Sequence, residues 1–185
     1  MRAYFPNKEF VMRLAFVVLV VCVLAAAGLS GCGSSSPSPG QATSAAPDPK
    51  YILTEQPAQA KPVIDVRKDA KDGDEIVVTG RIGGDVDPWV KGRAAFLIVD
   101  PSLVPCSERA GDSCPTPWDY CCDTDRLAES KATIKFVDAN GDTLPTDARQ
   151  LLGLKELQHV TVRGQAKRDD AGNLTVLATG IYVKR

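Results

Sequence analysis

Five short segments between Glu75 and Val183 read as strands, three of them with apolar side chains at every second residue, and turn-forming residues separate them. In Glu75–Ile82 the residues Ile76, Val78, Gly80 and Ile82 face one way and Val77, Thr79 and Arg81 the other. Ala132–Val137 alternates in the same manner, and so does His159–Ala166, with Val160 and Val162 inward. Leu174–Val183 follows the turn Asp169-Asp170-Ala171-Gly172-Asn173. A period of two is the signature of a half-buried strand, because successive Cβ atoms point to opposite faces of a sheet. Ala94–Asp100 (AAFLIVD) is instead continuously apolar, as expected of a strand covered on both faces. The chain has 185 residues and 44% hydrophobic side chains, enough for one ordinary core and not for two comfortable ones.

Two helices are expected around these strands. Val63, Val66 and Ala70 have near-helical spacing, and Gly73 stands where such a helix would stop. Thr146–Leu152 has Thr146 or Asp147 as an N-cap and Gly153 as a C-terminal stop. Three strands, a short helix and a final two-stranded hairpin form the order of an OB-like fold. The expectation is therefore a mainly β protein, a five-stranded OB-like Greek-key barrel with a Cys-rich insertion between strands two and three. Gly80, Gly164 and Gly180 lie inside strands, where a small barrel must coil tightly.

Residues 1–32 read as an export signal. Arg2, Lys8 and Arg13 outweigh Glu9, and Leu14 to Leu29 carry no charge. The run ends in Leu29-Ser30-Gly31-Cys32, which resembles the bacterial lipobox of an aliphatic residue, two small residues and Cys. The resemblance implies that residues 1–31 are a signal peptide and that Cys32 becomes a diacylated first residue. Its acyl chains would be the link to the lipid bilayer of the bacterial cell envelope, facing the periplasm or the exterior. An uncleaved signal-anchor helix is the other reading of the same run. Gly33 in place of Asp permits sorting to an outer membrane.

Residues 33–62 are rich in Ser, Pro, Ala and Gly and are expected to form a disordered stalk of roughly 30 Å. Tyr51-Ile52-Leu53 is its apolar island, expected to remain solvated. The folded domain is then expected over 63–185. The whole chain has a net charge of −1, and without residues 1–31 it holds 19 Lys+Arg against 22 Asp+Glu. That mild acidity supplies no footprint for nucleic acid, which is not an expected partner.

The loop at 101–126 is chemically distinctive. It contains Cys106, Cys114, Cys121 and Cys122, and over residues 100–125 six acidic side chains accompany one basic one, Arg109. In an exported protein, four cysteines in a loop with little apolar content first suggest two disulfides, each contributing about 2–4 kcal/mol. Cys106 and Cys114 would each bond to one of Cys121 and Cys122, since a vicinal bridge strains the peptide. The second reading is a metal site, with thiolates among carboxylates offering soft donors to Zn²⁺ or Cu⁺. No C-x₂-C pair is present, and adjacent cysteines rarely share one tetrahedral ion.

The residues C-P-T-P-W-D-Y-C-C, following G-R-I-G-G and G-R-A-A-F-L-I-V-D, resemble those of a set of uncharacterised lipoproteins from planctomycete-like bacteria, over residues 63–185. That resemblance implies no activity. More distantly, barrel and address resemble the periplasmic haem chaperone of cytochrome c maturation, which attaches haem through a His near its C-terminus. Here the final strand ends Gly180-Ile181-Tyr182-Val183-Lys184-Arg185, and the single His is His159, read as a solvent-facing strand residue.

No phosphate-binding glycine loop, H-E-x-x-H or G-x-S-x-G occurs, so the expectation is a non-catalytic binding or envelope interaction module without a cofactor, meeting an envelope protein or a small ligand. OB barrels bind through strands two and three and the loops joining strands one–two and four–five. The candidate ligand-binding residues there are Trp89, Lys91, Arg93 and Lys135, flanked by Lys167, Arg168, Asp169 and Asp170, with Trp118 and Tyr120 as an aromatic tip in the cysteine loop. A packed Trp89, a Trp118 tucked under its loop and ordinary surface charge form the competing reading.

Overall fold

The computed structural model of the protein describes residues 46–185. The signal segment, Cys32 and the first part of the linker lie outside the described residues. No helix among the described residues is long and apolar enough to cross a membrane.

Five strands close on themselves: β1 (Glu75–Ile82), β2 (Ala95–Val99), β3 (Lys131–Phe136), β4 (His159–Arg168) and β5 (Leu174–Val183). β1 pairs antiparallel with β2, from Arg81 opposite Val99 to Ile82 opposite Ile98, and β2 pairs antiparallel with β3, Ala95 opposite Lys135. β3 runs parallel to β5, Thr133 opposite Thr175. β5 forms an antiparallel hairpin with β4, and β4 returns antiparallel to β1, where Glu75 faces Gln165 and Arg81 faces His159. This 1-2-3-5-4-1 circuit is an OB-like barrel. Closure leaves these five strands with paired neighbours on both sides.

The alternation read in the sequence becomes the inside of the barrel. Val78 and Ile82, Phe96 and Ile98, Ile134 and Phe136, Val160 and Val162, Val176 and Ile181 meet in one core. The continuous apolar run of β2 has the predicted two covered faces. Phe96 and Ile98 enter the main core, while Val99 joins a second small core with Leu103, Tyr120 and the flanking Leu127. The cysteine loop therefore lies against the outside of the barrel.

Glycine makes the coiling possible where strands nearly touch. The register of β4 and β5 shifts between Arg163 and Gly164, and a Cβ at Gly164 would sit 2.2 Å from the Leu177 carbonyl oxygen. No side chain fits there.

The two expected helices are present as α1 (Val63–Asp69) and α3 (Ala148–Leu152). Asp147 caps α3 by accepting a hydrogen bond from the Arg149 N–H, and Gly153 ends it at φ 65°. The Arg168 guanidinium reaches the carbonyls of Val66, Arg67 and Ala70 and so satisfies the end of α1. A further helix, α2 (Thr124–Ser130), leads out of the cysteine loop into β3, and Lys61–Pro62 add a two-residue parallel ribbon beside β1.

The expected solvated stalk differs from the structure at its C-terminal end. Residues 46–54 pack on the barrel. Asp48 N–H donates to the Leu151 carbonyl, and Tyr51 and Leu53 exchange backbone hydrogen bonds with Ile181, each at 2.8 Å. Tyr51 is buried, edge-on to Phe136 at 5.2 Å between ring centroids. The physical reason is the aromatic surface of one residue, whose burial offsets the ordering of a short strap.

Candidate metal centre

The cysteine loop is attached to the barrel at its middle as well as its ends. After Gly83 the chain turns, and Gly84 N–H donates to the Trp118 carbonyl at 2.8 Å. A Cβ on Gly83 would lie 2.5 Å from that oxygen and 2.9 Å from the Tyr120 ring, so only glycine allows the approach. Trp118 Nε1 donates to the Val86 carbonyl at 3.0 Å. Tyr120 takes the left-handed conformation, φ 58° and ψ 35°, and turns the chain into the tight Cys121–Asp123 turn. Its ring is fully buried with Val99 and Leu103, and its hydroxyl has no hydrogen-bond partner. Burial pushes the Tyr120 phenol up to about 12.

Two ion pairs secure the flanks. Arg109 pairs with Asp123. Arg81 on β1 donates to Glu108 at 2.7 Å and, through Nε at 3.0 Å, to His159 Nε2. His159 is thus half-buried under Arg81 rather than solvent-facing. Burial, with the Arg81 and Lys184 charges, holds its imidazole below the ordinary range against the opposing Glu108. A neutral His159 can accept the Arg81 hydrogen bond; an imidazolium cannot.

Within this frame Cys106, Cys114, Asp119 and Cys121 converge, each offering one donor atom within 4.8 Å of the others. Cys106 Sγ is 3.4 Å from Cys121 Sγ, and Cys114 Sγ is 3.8 Å from Cys121 Sγ. The Asp119 carboxylate is 3.8 Å from both Cys106 Sγ and Cys114 Sγ. The two expected disulfides are not formed: the four cysteines are free thiols, and these separations far exceed the ~2.05 Å of a sulfur–sulfur bond. The physical reason is convergence of three sulfurs and a carboxylate on one point instead of pairing two by two.

Asp119 is oriented by its own loop. The Cys121 N–H donates to Oδ1 and the Thr116 hydroxyl to Oδ2, both at 2.9 Å. Burial raises its carboxyl, but these donors outweigh burial and hold it below the ordinary range. Hydrogen bonding to Cys106, then to Cys114, holds the Cys121 thiol above its ordinary range. Cys106 is fully buried, Cys114 half-buried, and Cys121 and Cys122 exposed. The quartet uses only one member of the adjacent pair; Cys122 falls in a separate trio with Cys106 and Asp112. That division removes the objection that neighbouring cysteines rarely share one ion. Asp119 and Thr116 were not singled out in the sequence, and only their position between cysteines marks them.

The other candidate binding residues scatter. Trp89 is buried in the main core, tilted on Phe96, with Nε1 donating to Glu156 at 2.5 Å and Arg149 over its ring at 5.5 Å. Trp89 and Tyr120 therefore present no free ring face, and Trp118 is half-buried against the β1–β2 loop rather than projecting as a tip. Arg93 and Lys135 share a shallow hollow with Asp138 and Asp142, where acids offset the cations. Lys91 is exposed away from it. Lys167 pairs with Asp72, Arg168 serves α1, and Asp169 closes its own turn on Asn173. No protein-family model matches the chain, and no curated protein matches it.

Proposed function

We propose that the protein is a lipid-anchored, extracytoplasmic, non-catalytic binding module whose barrel presents a thiophilic divalent cation site built from Cys106, Cys114, Asp119 and Cys121. The anchor rests on the uncharged run that ends in Leu29-Ser30-Gly31-Cys32. The metal site rests on one geometric observation. Donors arranged tetrahedrally around Zn²⁺ at a Zn–S distance of about 2.3 Å stand about 3.8 Å from one another. Four of the quartet's six edges, quoted above, are 3.4–3.8 Å, and all six lie within 4.8 Å.

The donor types favour the same class of ion. Three thiolates and one carboxylate suit a borderline d¹⁰ dication such as Zn²⁺, whereas Cu⁺ prefers sulfur alone. The Thr116 hydroxyl and the Cys121 N–H already orient the carboxylate toward the sulfurs by donating to its two oxygens. The proposal of a non-catalytic role is supported by the position of His159, which is engaged by Arg81 and supplies no base to the thiols.

Metal analysis of the protein purified anaerobically under reducing conditions tests the assignment. One equivalent of Zn²⁺ is expected, lost in Cys106→Ser, Cys114→Ser and Cys121→Ser, with thiolate-to-metal charge transfer on Co²⁺ substitution. Metal-free protein with an unreactive Co²⁺ titration would refute it.

A further inference from the structure

The quartet accounts for three of the four cysteines. Cys122 remains, exposed, with its sulfur 4.0 Å from the buried Cys106 sulfur. Cys106, Asp112 and Cys122 form a second set of donors, mutually within 4.8 Å. The two sets share one vertex, Cys106, which is 0% exposed. Each set also has its own exposed thiol, Cys121 in one and Cys122 in the other. The backbone holds both sets in register. Asp112 accepts the Cys114 N–H at 3.1 Å, and Arg109 pairs with Asp123, the residue after Cys122.

We infer that Cys122 is the exchange ligand of this centre, a thiol through which the ion passes between the inner quartet and an acceptor; the inference rests on the metal-binding reading above. A resting ligand of a tetrahedral site needs only to be one of four. A fourth thiol within reach of a shared vertex serves a different purpose, because an ion leaves a thiolate site faster by ligand substitution than by bond rupture alone. The bond from the ion to the Cys122 thiolate forms as the bond to Cys121 breaks; the Asp112 carboxylate then binds as Cys114 and Asp119 let go. Cys106 keeps hold throughout. The ion stays divalent and no electron moves. Cys122 gives up its proton to water on binding, and the released Cys121 and Cys114 thiolates each take one from water. The outer arrangement of Cys106, Asp112 and Cys122 has fewer protein ligands than the inner one and so leaves a position for an incoming donor. The acceptor that fits is a partner or small molecule offering thiolate or carboxylate ligands of its own. The site is then one for transfer rather than for permanent structural metal.

The test uses the full chain in detergent, loaded with Zn²⁺ under reducing conditions and mixed rapidly with an excess of a chromophoric chelator, whose colour change follows release. Cys122→Ser is expected to keep one equivalent of Zn²⁺ at an affinity within about threefold of the parent, and to release it about tenfold more slowly. Cys121→Ser is expected to lose affinity instead. An unchanged release rate in Cys122→Ser overturns the exchange role. Loss of the ion from Cys122→Ser also overturns it, since Cys122 would then be a resting ligand. A parent protein that binds no Zn²⁺ removes the metal-binding reading itself, a result distinct from both.

Discussion

Alanine substitution at the three strand glycines should separate three steric situations within one barrel. At Gly164 the added Cβ would lie 2.2 Å from the Leu177 carbonyl oxygen and 2.9 Å from the Ala178 Cα, both backbone atoms in the paired strand. Relief requires β4 and β5 to part by about 1 Å at their bulge, which breaks ladder hydrogen bonds and loosens the core below. The expected cost is about 3 kcal/mol or more, at the top of the overpacking range. At Gly80 the nearest atoms are the Val99 oxygen at 2.9 Å and Ile98 side-chain carbons at 3.0–3.1 Å, an intermediate case of about 1–2 kcal/mol. At Gly180 the contact is the tip of Leu53, 2.9 Å away, on the strap rather than the barrel. A leucine terminus can rotate, and the reduced entropy of the unfolded chain offsets about 0.4–1 kcal/mol, so the net change should be within about 0.5 kcal/mol. Urea denaturation gives the order directly, with midpoints falling most for Gly164→Ala and least for Gly180→Ala. In thermal unfolding the Gly164 variant should melt roughly 10 °C lower. Equal midpoints for Gly164→Ala and Gly180→Ala would refute the reasoning, because backbone and side-chain obstruction would then be energetically alike.

Two further predictions concern the strap and the histidine. Tyr51→Ala should destabilise the protein by about 2–3 kcal/mol in the same denaturation assay, since it removes a buried ring packed on Phe136; a loss below about 0.5 kcal/mol would show that residues 46–54 do not hold to the barrel. For His159, the folded-state pKa is depressed, by burial first and then by Arg81 and Lys184, so between that value and the unfolded value near 6.5 the unfolded chain binds more protons. Stability should therefore be fully present above pH 6.5 and decline as pH falls below it. Urea midpoints at pH 8 and pH 5.5 should differ less in His159→Gln than in the parent; the same slope in both would remove His159 from the account.

The barrel was readable because its information is local. Alternating side chains announce β1, β3 and β4, the turn at 169–173 announces β5, and the unbroken run AAFLIVD announces a strand covered twice, once by the core and once by the cysteine loop. The cap at Asp147 and the stop at Gly153 follow from one side-chain oxygen and one positive φ. What stayed hidden depends on distant partners. In α2 the segment TDRLAES has a single large apolar residue, Leu127, whose partners Val99, Leu103 and Tyr120 come from elsewhere in the chain. The island Tyr51-Ile52-Leu53 gives no hint of Ile181, the residue it pairs with. The metal donors were legible as residue types but not as a set. Spacings of 8, 5 and 2 residues from Cys106 through Cys114 and Asp119 to Cys121 match no short motif, and the loop closes only through tight turns and a left-handed Tyr120.

The hydrogen bond from Gly84 to the Trp118 carbonyl works as a pivot driven through the middle of the insertion. Cys106 and Cys114 precede that pivot, and Asp119 and Cys121 follow it. The cluster is therefore a clasp with two arms, one tied to β1 through Arg81 and Glu108 and the other through Gly84 and the buried Tyr120, while the Arg109–Asp123 pair ties arm to arm. The four donors thus stand on two footings of one sheet, and the barrel beneath sets how far apart the jaws are held.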